Sequence, residues 1–283
     1  MRVVLLGCLL LTAPAALART AIEGPARIDK PGSYVVTRNI RSVGEPALVI
    51  TASHVVLDLG GHAVRTEAPS CCVIFVSPGV GVRIENGSIS GEGGGVGIAG
   101  QGSAELSIEN LTFDRLDVGV RLTDSRAAAL RHNRVTREVS VGFDVPVGES
   151  FVIEDNTLES ATGVNLNAVS CAVRRNAFGG ELPNAPLVLG PQATGNLVTD
   201  NVIRSIGEGI AVQGSGNHIE RNVIHTQKCS LWFKPQAARN LYRANTSRTQ
   251  EQSCSCPVAA RGSVCDEGEG NTSSGDNYLP DPM

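Results

Sequence analysis

Asn196-Leu-Val-Thr-Asp-Asn-Val-Ile-Arg204 and Asn217-His-Ile-Glu-Arg-Asn-Val-Ile-His225 are one phrase written twice. A shift of 21 residues lays Val198 over Ile219, Asn201 over Asn222, Val202 over Val223 and Ile203 over Ile224. The frame is an apolar residue, Asn two or three places on, and a second apolar residue at the fifth place. It recurs at Ile84/Asn86/Ile89, Ile108/Asn110/Phe113, Leu130/Asn133/Val135, Ile153/Asn156/Leu158 and Val173/Asn176/Phe178, with degenerate copies at Leu59/Gly61/Val64 and Tyr242/Asn245/Ser247. The first apolar positions are spaced by 20 to 25 residues. Such a period marks stacked supersecondary units that bury their apolar faces only against one another.

A second strand precedes each Asn-bearing one. Ala47-Leu-Val-Ile50, Cys72-Val-Ile-Phe75, Gly97-Ile-Ala-Gly100, Gly119-Val-Arg-Leu122, Gly142-Phe-Asp-Val145, Gly163-Val-Asn-Leu166, Pro186-Leu-Val-Leu189, Gly209-Ile-Ala-Val212 and Ser230-Leu-Trp-Phe233 share a template: small, apolar, variable, apolar. Period-two alternation turns the second and fourth residues inward and the third outward. The predicted outward row is Val49, Ile74, Ala99, Arg121, Asp144, Asn165, Val188, Ala211 and Trp232. The next outward row is Thr51, Val76, Gln101, Thr123, Pro146, Asn167, Gly190, Gln213 and Lys234. Nine coils at about 4.8 Å each give an all-β rod on the order of 40 Å long, with parallel strands paired from coil to coil.

The Asn column belongs at a bend. Asn tolerates left-handed backbone angles, and stacked amides bond to one another as in cross-β ladders. Asn133, Asn156, Asn176, Asn201, Asn222 and Asn245 therefore read as structural rather than catalytic.

Composition agrees with a thin aliphatic core: 32 glycines in 283 residues, against six Phe, three Tyr and one Trp. With 28 Asp+Glu against 24 Lys+Arg the chain lacks the broad basic footprint of a nucleic-acid binder. Residues 1–18 read as a signal peptide: Arg2, the apolar run Val3 to Thr12, and Ala16-Leu17-Ala18 as the small-residue cleavage site. No later apolar run reaches the roughly 20 residues of a transmembrane helix. A secreted or periplasmic protein is expected, and a monomer.

Export bears on the cysteines. Beyond Cys8 there are seven: Cys71, Cys72, Cys171, Cys229, Cys254, Cys256 and Cys265. An oxidising compartment favours pairing, and an odd number leaves at least one free. Cys171 alternates with Val173 and reads as a small buried hydrophobe. Cys254, Cys256 and Cys265 lie in a Ser/Gly/Pro-rich tail that packing alone would not hold, so disulfides there, joined by Cys229, are expected; zinc is the competing reading of C-x-C…C. The domain reading is a signal peptide at 1–18, an N-terminal cap at 19–46, a solenoid at 47–248 and a disulfide-held tail at 249–283.

These repeats, the Gly-apolar-x-apolar strands before them and the opening Leu57-Asp-Leu-Gly-Gly-His-Ala-Val64, similar to the LDLNGH first coil of that group, resemble the right-handed parallel β-helix proteins of the pectin lyase-like superfamily. The resemblance spans residues 27 to 248. It implies a single-stranded right-handed parallel β-helix of about nine coils. It leaves function open among polysaccharide lyases, hydrolases, epimerases, adhesins and periplasmic accessory proteins of copper systems. The superfamily's compact signatures (N-T-D, D-D, G-H-G and R-I-K of polygalacturonases; D-P-H-D of alginate epimerases) are missing here. So is an outward Asp/Glu cluster that could hold Ca²⁺, and no cofactor is expected.

The resemblance and the outward map together point to a polysaccharide or cell-surface glycan as partner, with the rival reading a non-catalytic surface, adhesion or periplasmic scaffold. Arg121, Asp144, Asn165 and Asn167 fall on three successive coils, and Trp232 with Lys234 lie farther along the same face. Arg121 is expected to meet a carboxylate or ring hydroxyl, Asn165 and Asn167 to bond hydroxyls, and Trp232 to stack on a sugar. Asp144 is the one carboxylate able to act as base or acid. A hydrolase would need a second from a loop, such as Asp124 or Glu149, so any chemistry is expected to be of lyase or epimerase type.

Overall fold

A computed structural model describes residues 19–67, 71–92, 94–180, 184–249, 254, 256, 263–275 and 277; the segment 1–18, where a signal peptide is expected, lies outside the described residues. Among the described residues there are 31 strands and no helix, hence none long and apolar enough to cross a membrane. Strand pairing is parallel and runs from each coil to the next. An eleven-stranded sheet takes one strand per coil in sequence order, from Ala26–Ile28 through Val139–Glu149, Thr162–Leu166, Ile210–Val212 and Leu231–Phe233 to Val264–Asp266. A twenty-stranded sheet folds into two faces at a bend, as between Leu197–Thr199 and Val202–Ser205. The chain is thus a right-handed parallel β-helix, and strands at 20–43 and 264–273 continue the stack in the same parallel register at its two ends.

The quoted phrases stack as their spacing demands: Val198 pairs with Ile219, Val202 with Val223 and Ile203 with Ile224. Inward residues of the three faces form one core running from Ile22 to Val264. Each fully buried aliphatic side chain in it contributes roughly 1.5–3 kcal/mol. Phe113 and Phe143 meet edge to face at 6.5 Å. The small residue opening each template strand has a steric reason. A Cβ on Gly119 would lie 2.7 Å from the Gly142 carbonyl oxygen, and one on Gly142 2.5 Å from that of Gly163, so successive coils approach too closely there for a side chain.

The Asn ladder is present, with a correction to its conformation. The left-handed angles fall on the residue before each Asn: Asp155, Arg175, Asp200, Arg221 and Ala244 have φ between 50° and 58°. Each Asn in turn donates its Nδ2 to the Oδ1 of the Asn one coil on, 3.1 Å from Asn133 to Asn156 and 2.9 Å from Asn201 to Asn222. The same Oδ1 also accepts the preceding Asn's backbone N–H, as from Asn156 to Asn176 at 3.0 Å. Asn86 and Asn110 adopt the left-handed angle themselves and stand one place short of the ladder, which starts at Asn133. The first degenerate repeat is also shifted: Leu57, not Leu59, pairs with Ile84, because the turn before Val64 is two residues longer.

A second ladder, unforeseen in the sequence, stands at the other corner: Asn196, Asn217, Asn240 and Asn271 bond in series at 2.9–3.0 Å. Cys171 occupies the rung above Asn196. It is buried as expected, but its thiol also accepts the Phe151 N–H at 3.4 Å, and burial pushes its pKa up to about 11. The tail is stapled by Cys229–Cys254 and Cys256–Cys265, while Cys71, Cys72 and Cys171 are free.

Candidate functional site

The outer row of the eleven-stranded sheet is set by its neighbours. Val120, Leu122, Phe143, Val145, Val164 and Leu166 are buried in the core, so Arg121, Asp144 and Asn165 between them face out, in register on successive strands. One stretch departs from the expected map. Leu48 pairs with Ile74 and Val49 with Phe75, so Phe75 faces out while Ile74 and Val76 enter the core. A slip of one residue inverts every side chain of a strand. The result is an apolar end to the face, where Cys72, Val96 and Val118 are covered and Phe75, Ala99 and Val141 pack around them.

Arg121 donates from Nε to Asp144 Oδ2 at 2.8 Å, and Asn165 Nδ2 donates to Asp144 Oδ1 at 2.9 Å. Both oxygens of Asp144 are engaged and the residue is 9% exposed, whereas the Arg121 side chain is 44% exposed. Asn167 is tied sideways: its Nδ2 donates to the Pro146 carbonyl at 3.0 Å and its Oδ1 accepts the Gln192 N–H at 2.7 Å. A register shift follows Arg121, and Val147 takes the place opposite Thr123 that Pro146 was expected to fill. Proline has no N–H for the sheet ladder, which gives the strand reason to bulge there. Asp124 and Glu149 lie past this bulge, near the ends of the same two strands.

Trp232 lies on the same face four strands from Asp144, about 19 Å away, with Val188 and Ala211 between. The structure therefore places the six expected residues on one face but divides them into two groups. In the second group, Trp232 Nε1 donates to Glu267 Oε1 at 2.5 Å. Lys234 Nζ sits 3.1 Å from the indole centroid and 3.9 Å from Glu208 Oε2. Burial raises the pKa of Glu208, and the nearby Lys234 and Lys228 oppose the rise. Glu208 and Glu267 were not singled out in the sequence. Ser263-Val264-Cys265 repeats the start of the strand template, and the Asp at 266, where other coils carry an apolar residue, hid the coil that brings Glu267 to Trp232.

Two other polar regions stand outside this face. A cleft of about 290 Å³ is lined by Glu92, Arg115, Asp117, Glu138 and their neighbours, and Asp117 Oδ2 accepts the Gly95 N–H at 2.8 Å. On the first face of the twenty-stranded sheet, Glu109, Arg131, Glu154 and Arg174 stand in register on successive coils. Glu154 is bonded by Arg131 and Arg174 at 2.6 Å and by Arg175 at 2.8 Å. Burial works against ionisation of Glu154, but these guanidiniums outweigh it and hold the carboxyl at about 2, down from an ordinary 4.5. Among the described residues no three His, Cys, Asp or Glu side chains converge as a metal site.

A family model described as a right handed beta helix region matches residues 39–178. No curated protein matches the chain in sequence. Among solved structures, alginate lyase from Paenibacillus sp. str. FPU-7 is 14% identical with a TM-score of 0.52, covering 87% of this chain and 99% of that one. ORF18 of Geobacillus virus E2 is 10% identical with a TM-score of 0.57, covering 88% of this chain and 54% of that one. DFA-IIIase from Arthrobacter chlorophenolicus A6, in complex with GF2, is 13% identical with a TM-score of 0.49, covering 88% and 68%. At such identities the likeness is one of fold.

Proposed function

Since this chain is a right-handed parallel β-helix, we propose that it is exported and binds a polysaccharide lengthwise along the outer face of its eleven-stranded sheet. The observation that carries this reading is the outer row itself. Arg121, Asp144 and Asn165 stand on consecutive coils about 4.8 Å apart, so a chain laid along the stack meets a polar group at each step. Two disulfides in the tail fit an oxidising compartment. Alginate lyase shows that this fold can serve a polysaccharide-processing enzyme.

Arg121, its side chain still partly exposed, supplies guanidinium N–H groups to a carboxylate or hydroxyl, and Asn165 adds a hydrogen bond. Trp232 and Lys234 form the far end, where the indole would stack on a sugar once Lys234 swings aside. The finer reading is turnover of lyase or epimerase type. A substrate carboxylate that took Arg121 would release Asp144 to accept the proton alpha to that carboxyl. Elimination then breaks the bond from the next carbon to the glycosidic oxygen, which leaves as a hydroxyl after taking a proton from Asp144 or water, and a double bond remains; epimerisation instead takes a proton from water on the opposite face. The engagement of both Asp144 oxygens favours a second reading, a non-catalytic scaffold that binds and does not turn over.

Incubating the purified protein with acidic and neutral polysaccharides, with and without Ca²⁺, and following bound polymer, new reducing ends and unsaturated products separates these readings. Arg121→Gln and Trp232→Ala should each weaken binding, and Asp144→Asn should abolish turnover while binding persists. Failure of the parent protein to bind any polymer in the panel would sink the proposal.

A further inference from the structure

The second face of the twenty-stranded sheet carries a row that the proposed binding face does not use. Arg204, His225 and Arg248 stand in register on Val202–Ser205, Val223–Thr226 and Thr246–Thr249. They point outward, because Ile203 and Ile224 beside them are fully buried. At about 4.8 Å per coil the two arginines stand roughly 10 Å apart with the imidazole between them. Elsewhere on the sheet, guanidiniums are matched: Arg174, Arg175, Arg221 and Arg243 all hold carboxylates at 2.6–2.9 Å. Among the described residues Arg204 and Arg248 hold none. The coil before Arg204 places Gly179 opposite it, so the described residues of that coil offer no counter-charge in the row. Glu159, next to the Leu158 that pairs with Phe178, is a further coil away and lies 3.6 Å from Arg134.

Beside the cations runs a second row, Val202 and Val223, paired across the sheet and 40% and 37% exposed. Two guanidiniums this close, with no carboxylate bound among the described residues, repel one another with no return from an ion pair. Their spacing along the axis suits an anion that repeats at the same step. The valines offer a flat apolar floor, with none of the aromatic platforms that bind nucleobases.

We infer that Arg204, His225 and Arg248, with Val202 and Val223 beneath, form a binding site for an acidic polysaccharide lying along the stack. Its carboxylates or sulfates meet the guanidiniums, and its sugar C–H faces rest on the valines. The inference rests on the proposed polysaccharide function for the class of polymer, and adds that the polymer is anionic and uses a second face.

The test measures binding of the full-length protein to polygalacturonate and to neutral dextran at low and high salt. The expected result is that Arg204→Gln/Arg248→Gln weakens polygalacturonate binding at low salt by about tenfold or more and flattens its salt dependence. Arg204→Lys/Arg248→Lys should retain most of the affinity, and the melting temperature should stay at the parent value. A double Gln variant that binds like the parent, a parent that prefers dextran, or duplex DNA competing as well as polygalacturonate would overturn it. Arg121→Gln separates the two readings. Loss there, with the Arg204/Arg248 variant unaffected, keeps the eleven-stranded face and removes this site; the converse pattern keeps this site and removes that face.

Discussion

Asn201 shows how one residue type can be both legible and misread. Its recurrence at coil spacing marks it as structural, and the ladder of buried amides is there. Yet the left-handed turn belongs to Asp200 before it, since an Asn whose amide is committed up and down the stack keeps ordinary angles. The second ladder was not legible because Asn196, Asn217 and Asn240 follow Gly195, Gly216 and Arg239 and read as turn residues, although the preceding positive φ is the same device. Replacing Asn201 with Ala takes away the acceptor of the buried Asn176 backbone N–H, while Asn176 Nδ2 keeps the Ile153 and Arg174 carbonyls. A loss on the order of 1–3 kcal/mol is expected, read as a lowered midpoint in thermal or urea unfolding. The complementary change is Cys171→Asn, which puts an amide oxygen where the weakly accepting thiol now meets Phe151 N–H. Its midpoint should equal or exceed the parent's, whereas Cys171→Leu should fall below it.

At the scale of strands, alternation placed eight of the nine outward residues of the first row correctly and failed at Cys72–Val76, where an added residue moved the frame by one. The candidate face was legible wherever a residue lay within a strand. Glu208 and Glu267 were not, because they come from turns of variable length that no period constrains. Strands also exchange charge from coil to coil, as at Glu154, and this gives a pH signature. The Glu154 carboxyl is depressed in the folded chain, so its contribution is fully present above the unfolded value near 4.5 and is lost as pH falls toward about 2. Glu154→Gln should lower the melting temperature at neutral pH, by a loss on the order of 1–3 kcal/mol. The variant should also lose part of the parent's decline between those two pH values. Parallel melting curves for the two proteins across that window would show that the ion-pair array contributes nothing.

The whole molecule is a one-dimensional stack, and such stacks are vulnerable at their ends, where the last strand offers unpaired backbone groups. Here the last coil among the described residues is held by Cys229–Cys254 and Cys256–Cys265, and it carries a substitution against type: Asp266 pairs with the buried Phe233, where every earlier coil of the sheet places an apolar residue inward. Its Oδ1 accepts from Gly268 N at 3.1 Å and from Asn271 Nδ2 at 2.8 Å. A carboxylate at the growing tip is a chain terminator in the polymer chemist's sense. The next layer that could add, a second molecule docking head to tail, would have to desolvate it. Asp266→Leu with the disulfides reduced should therefore elongate into filaments visible by light scattering and electron microscopy, while the parent under the same reduction stays short. If both remain short, the ends are protected by something other than this single charge.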